Sequence, residues 1–102
     1  MARMKNLAQL KTLQKNVAVS GTPEQLHSGF PVPDGISVVI KAKSTNSGNI
    51  TIGGSSADAL NTSTAYFSLT PDQMASLEVE NLNIVYIDAT VSGEGVEIIF
   101  EQ

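Results

Sequence analysis

The chain has no cysteine, no tryptophan and a single histidine, His27. Without cysteine there is no disulfide framework and no thiolate metal site. One histidine excludes a multi-histidine metal centre. His27 also lacks the oriented partners that a general base needs, and it reads as a turn or strand-end residue. Charged residues make up 16% of the chain and hydrophobic ones 41%, too apolar for disorder and too lightly charged for a coiled coil. No apolar run approaches the ~20 residues of a membrane helix, which argues against a membrane partner. The first residues include basic ones but no apolar stretch of the signal-peptide kind, so the expectation is a soluble protein made in the cytoplasm.

What charge there is lies unevenly. Residues 1–15 hold Arg3, Lys5, Lys11 and Lys15 and no acid, while the rest holds two lysines against ten acids, a balance of −8. A basic stretch on an acidic body suits contact with an acidic surface: another copy, a different protein or nucleic acid. A solvated basic tail is the plain alternative.

The 102 residues suffice for one domain with one core. Residues 1–12 read as an N-terminal arm and residues 13–102 as the domain. Met4, Leu7 and Leu10 on the arm have too short a segment for a helix that stands alone, so the arm requires a partner or the body to order it. Past it, period-2 alternation dominates. Leu13, Lys15, Val17 and Val19 mark a first strand and Glu24 to His27 a second; Pro31 and Pro33 mark a connection. Ile36, Val38, Ile40 and Ala42 alternate, then Ser44 to Gly48 supplies turn residues, then Ile50 and Ile52 resume the pattern. Gly35 to Gly54 thus reads as a β-hairpin, with Gly48 supplying positive φ. Ser55 to Thr62 reads as a surface loop. Strands follow at Ser63 to Leu69, around Leu77 and Val79, over Ile84 to Val91, and over Val96, Ile98 and Phe100. Seven to eight short strands at this spacing predict an all-β, antiparallel sandwich or small barrel. Its core is predicted to include Val17, Val19, Ile36, Val38, Ile40, Ile50, Ile52, Leu77, Val79, Val85, Ile87, Val96, Ile98 and Phe100, and alternation puts Ala89 and Val91 on the same face as Val85 and Ile87.

Candidate chemistry is sparse. Glu78, Glu80 and Asp88 could share one face and bind Ca²⁺ or do acid–base work. Alternation, however, points Glu78 and Glu80 outward, where they solubilise. Gly53-Gly54-Ser55-Ser56 lacks the lysine and following helix of a phosphate loop and is better read as a strand exit. The sequons at Asn49 and Asn61 are chance matches without a secretory signal. Tyr66 and Tyr86 would suit a sugar-binding platform if exposed side by side. The aromatic residues carry no RNA-binding signature, and a nucleic-acid partner is disfavoured. No catalytic, cofactor-binding or metal-binding set emerges. If alternate residues face inward, then Val39, Ile84, Tyr86 and Ile99 face outward. Either they form one contiguous contact patch or the arm or a loop covers them. With Arg3, Met4, Lys5, Leu7, Leu10 and Lys11 they are the candidate partner-binding residues.

Several segments together resemble small β-sandwich virion proteins of tailed bacteriophages, of the capsid decoration, cement or head-fibre type. They are Gly21-Thr22-Pro23, Ile36 to Ala42 running into Gly48-Asn49-Ile50-Thr51-Ile52-Gly53-Gly54, Leu69-Thr70-Pro71, Asn81-Leu82, and Ile84-Val85-Tyr86-Ile87 followed by Gly93. The resemblance spans residues 12–101 and departs at Asp72, where the family commonly has glycine. It implies a non-enzymatic virion component without a cofactor, present in many copies. Its partners would be itself and the major capsid protein or another virion protein. The other implied role is a host-surface carbohydrate-binding or fibre/tail adaptor module.

The register of the central strand is directly testable. Ile40→Ala should cost about 2–5 kcal/mol as a core truncation, and Lys41→Ala within about 0.5 kcal/mol, both by denaturant unfolding. Equal costs would mean that the two faces are exchanged.

Overall fold

Alternation decides which residues can be buried together; hydrogen bonding decides which strands are neighbours. Both can be followed in a computed structural model that describes residues 9–63 and 67–101. It contains strands β1 (Leu10–Asn16), β2 (Glu24–Gln25), β3 (Val38–Ala42), β4 (Ile50–Gly53), β5 (Phe67–Leu69), β6 (Met74–Leu77), β7 (Tyr86–Ala89) and β8 (Gly95–Glu101). A four-residue helix, α1 (Ser56–Ala59), and a 3₁₀ turn at Leu82–Ile84 are the remaining regular elements.

The strands form two antiparallel four-stranded sheets in the orders β1-β8-β3-β6 and β2-β7-β4-β5. We call them sheet A and sheet B. The chain changes sheet at every connection except β4 to β5. This is the eight-stranded jelly-roll arrangement of an all-β sandwich. It overturns one local expectation. Gly35 to Gly54 is not a hairpin, because β3 lies in sheet A and β4 in sheet B. The turn residues between them carry the chain around a corner.

That corner is held from the β7–β8 turn. The Glu94 carboxylate accepts the Ser47 N–H at 2.6 Å, the Ser47 hydroxyl at 2.9 Å and the Gly48 N–H at 2.9 Å. Asn46, buried, donates its amide to the Gly95 carbonyl at 2.9 Å and accepts from the Gly95 N–H at 3.3 Å. Asn49 and Thr90 close the far side, N–H of Thr90 to O of Asn49 at 3.0 Å and N–H of Asn49 to the Thr90 hydroxyl at 2.9 Å. Gly48 is required here for space, not for positive φ as the sequence suggested. The described glycines with positive φ are Gly21, Gly35 and Gly93. A Cβ on Gly48 would overlap the Thr90 hydroxyl and press on a Val91 methyl at 3.0 Å. The main chain of Glu94 also fixes the exit of β1, accepting the Val17 N–H at 2.9 Å.

Between the sheets lie Val17, Val38, Ile40, Ile50, Ile52, Val85, Ile87, Val96, Ile98 and Phe100, as alternation predicts. Each such side chain contributes about 1.5–3 kcal/mol on full burial. Ile36, Leu77 and Val79 are only half-buried, packed against the edge of this core. The predicted core residue Val19 is exposed instead, at 55%, and so is Val91, at 41%, which alternation put on the face of Val85 and Ile87. Each sits in a turn that begins before the expected strand end. The Val19 carbonyl accepts from Thr22 and the Val91 carbonyl from Glu94, so strand alternation no longer governs either side chain.

Two further segments differ from the sequence reading. Ser55 caps α1, its hydroxyl accepting the Asp58 N–H at 3.2 Å, and Ala59 is fully buried against sheet B. The supposed surface loop is therefore a lid on that sheet's outer face. In the Thr70–Gln73 turn Asp72 takes φ 74°, the conformation that favours glycine. The Gln73 N–H bonds the Thr70 carbonyl at 3.0 Å across it.

β1 and β2, each an edge strand of its sheet, are tied by Lys15 and Glu24 at 2.8 Å. Glu24 is held below the ordinary carboxylate range, first by the Lys15 ammonium and then by the Ala18 N–H. Glu94 is held low by the N–H groups of Ser47 and Gly48, with the Ser47 hydroxyl adding to them. Both carboxyls bind a proton more weakly folded than unfolded. The stability they contribute is therefore complete above the ordinary value of 4.5 and is lost as pH falls below it. Glu94→Gln should be less stable at neutral pH and should lose less on acidification from about pH 5 to about pH 3 than the parent, read by urea midpoints. Parallel losses would remove Glu94 from the acid response.

Candidate partner-binding surface

The two faces turned away from the core differ in kind. On sheet A, register sets Thr12, Ile99, Val39 and Ser76 in one outward row and Gln14, Glu97, Lys41 and Met74 in the next. Leu10 continues the same face two residues before Thr12. Ile99 is 41% exposed, and Leu10 and Met74 are each 65% exposed. Between the rows runs a shallow groove of about 320 Å³ floored by the side chains of Val39 and Ile99. Its polar side is Lys41, which lies 3.3 Å from Asp72 and 3.8 Å from Glu97. Such ion pairs on an exposed face orient side chains more than they stabilise the fold.

The outer face of sheet B is largely roofed. α1 and the residues after it cover Thr51 and Asp88, which pair across β4 and β7. The Thr51 hydroxyl donates to the Ala59 carbonyl at 2.6 Å. Asp88 is fully buried, and its two oxygens accept N–H groups from Gly21 at 3.0 Å, Ala89 at 2.8 Å and Asn61 at 2.9 Å. This carboxylate ties the β1–β2 turn and the α1 exit to β7. Fully buried and accepting three N–H bonds, it is a structural tie beneath the cover of α1.

The candidate residues divide accordingly. Val39 and Ile99 are direct cross-strand neighbours on sheet A. Ile84, 43% exposed in the 3₁₀ turn, and Tyr86, half-buried on β7, belong to the sheet B side. One contiguous patch of the four does not form, because β7 is in the other sheet from β3 and β8. Leu10 and Lys11, assigned to the arm, are the first residues of β1 and pair with Glu101 and Phe100. The domain therefore begins at or before Leu10, not at residue 13. Lys11 and Lys15 alternate with the outward Leu10 and Thr12, so their stems run toward the open side of the sandwich. A charge in that position discourages pairing of the edge strand with another chain. Arg3, Met4, Lys5 and Leu7 lie outside the described residues, as does Tyr66 of the suggested sugar platform.

Glu78 and Glu80 are exposed beside sheet A and do not meet Asp88 on sheet B. Among the described residues no three His, Asp or Glu side chains gather as metal ligands. No helix among them is long and apolar enough to cross a membrane. His27 accepts the Gly29 N–H on Nδ1 at 3.1 Å and stacks edge-on against Phe30, a structural turn role. Met74 and Thr12 escaped the sequence reading, although the alternation that sends Ala75 and Leu77 inward sends Met74 outward. No protein-family model, no curated protein and no solved structure matches the chain.

Asp88 and Glu78 give opposite tests of burial. Asp88→Asn sets an amide against an N–H it cannot accept and should cost at least about 1–3 kcal/mol in chemical unfolding. Glu78→Gln should stay within about 0.5 kcal/mol of the parent. A silent Asp88→Asn would mean that the carboxylate does not hold these three segments.

Proposed function

We propose that the protein is a non-enzymatic structural component of a bacteriophage virion, a capsid decoration or cement protein that binds the capsid or neighbouring copies. The observation that carries this reading is the apolar groove on the outer face of sheet A. It is an open, lightly charged surface on a domain whose buried polar groups are otherwise satisfied. Exposed apolar surface of this kind marks contact sites. The strand order adds support by analogy alone, since jelly rolls recur in viral capsid domains and also in lectins. Residues 1–8, basic and carrying Met4 and Leu7, supply a segment suited to reach a neighbour. A virion location and a self or capsid partner follow from the same reading. The carbohydrate-binding alternative would need Tyr86 as an open platform, and Tyr86 is half-buried between Gln25 and Gly53.

The test is truncation at two points. Deleting residues 1–8 should leave the thermal midpoint within a few degrees while native mass shows loss of self-association or of binding to the particle. Deleting residues 1–12 should in addition lower the midpoint, because Leu10, Lys11 and Thr12 pair with β8. Assembly that survives the shorter deletion counts against the proposal.

A further inference from the structure

We infer that two copies of this chain join edge to edge through β6, so that sheet A runs on from one copy into the other across a two-fold axis. The inference rests on the neighbouring-copy part of the reading above and adds to it the address of the contact. Three observations lead there.

The first is a difference between the two sides of the sandwich. On one side, β1 and β2 are tied by Lys15 and Glu24, and Lys11 adds a second lysine to the β1 edge. On the other side lie β5 and β6, joined by the short turn at residues 70–73. Neither Phe67–Leu69 nor Met74–Leu77 contains a charged residue. Register sets Phe67 opposite Ile52, on the inner face of sheet B, yet Phe67 is 60% exposed. Ala75 and Leu77 lie opposite Ile40 and Val38 on the inner face of sheet A, and they are only half-buried. This side of the sandwich is open and apolar, where the other is bridged by charge.

The second is the hydrogen bonding of the edge itself. Directly opposed residues of an antiparallel pair exchange backbone bonds at every other position. The Ala42 N–H donates to the Gln73 carbonyl at 2.9 Å, and the register then makes Ile40–Ala75 and Val38–Leu77 the next bonded pairs. Met74 and Ser76 therefore turn their N–H and C=O groups away from β3. Among the described residues no strand lies beyond β6 to take them up. The group that satisfies such an edge is another extended strand.

The third is symmetry, which selects a second copy. A two-fold axis through the edge sets β6 antiparallel to its own copy, and the same N–H and C=O groups meet in both directions. The side chains agree: Met74 and Ser76 stay on the outer face of the joined sheet, Ala75 and Leu77 on the inner. The same rotation turns the two β5 edges, each with its Phe67, toward one another, which covers the apolar opening. A lone strand from another protein would satisfy β6 and offer nothing to the second sheet. Asp72 and Glu78 bracket β6 in both copies. Like charge therefore opposes the contact, and screening by salt strengthens it.

The test is sedimentation equilibrium of the full chain and of Ser76→Pro. Proline at this position removes an N–H that β3 does not use, the place where edge strands tolerate it. The parent should form a dimer that tightens as salt rises. Ser76→Pro should dimerise at least tenfold more weakly with an unchanged circular-dichroism spectrum. If Ser76→Pro folds poorly, Ser76→Cys decides, since the chain has no cysteine of its own. A short bismaleimide should link Ser76→Cys into dimers several-fold more than it links Gln14→Cys on the β1 edge. A monomeric parent, a dimer that salt weakens, a folded Ser76→Pro that dimerises as the parent does, or equal linking of the two cysteines would overturn the contact. None of these results touches the capsid-binding limb of the functional reading, which is decided by the deletion of residues 1–8.

Discussion

The structure depends on one carboxylate at a corner. Glu94 gathers the N–H groups of Ser47 and Gly48 while its own main chain holds Val17. With Asn46 bridging to Gly95, this converts the stretch between β3 and β4 from a reversal within one sheet into a passage between two. Charge-assisted bonds to backbone donors are about twice as strong as neutral ones, and here they satisfy amides that the missing hairpin ladder would otherwise have used. The close approach leaves room for no side chain at Gly48. That local arrangement holds the passage of the chain from β3 in sheet A to β4 in sheet B.

Burial was legible in the sequence because it is a local property. Val38, Ile40, Ile50, Ile52, Ile87, Val96 and Ile98 alternate, and all of them are buried. Pairing was not legible, because an outward–inward pattern is the same whether a strand continues its own sheet or crosses to the other. The hairpin reading of Gly35 to Gly54 failed for that reason. Val19 and Val91 failed for another: alternation was carried past strand ends that turn hydrogen bonds had already fixed. Asp88 shows a third limit. Its place in β7 was foreseen, but its complete burial depends on α1 lying over sheet B, and Ser55 to Ala59 is too short for helical periodicity to be visible.

The candidate surface was half legible. Val39 and Ile99 were placed outward from alternation alone, and they adjoin. Ile84 and Tyr86 were placed outward by the same rule, but they face the other way because β7 belongs to sheet B. Sheet A keeps its outer face open, with apolar residues framed by Lys41 and Glu97, whereas sheet B spends much of its own on packing α1. One face holds the molecule together and the other is left for something outside it. The difference lies in what covers each sheet: α1 packs on the outer face of sheet B, while the outer face of sheet A keeps Ile99 and Met74 exposed.

The most direct measurement is the pattern of nuclear Overhauser contacts in solution. The account predicts cross-strand contacts of Ile40 with Ile98 and of Ile50 with Ala89, together with slow exchange of the Ser47 and Gly48 amides. A ladder of contacts joining Val38–Ala42 directly to Ile50–Gly53, with fast exchange at Ser47 and Gly48, would contradict it.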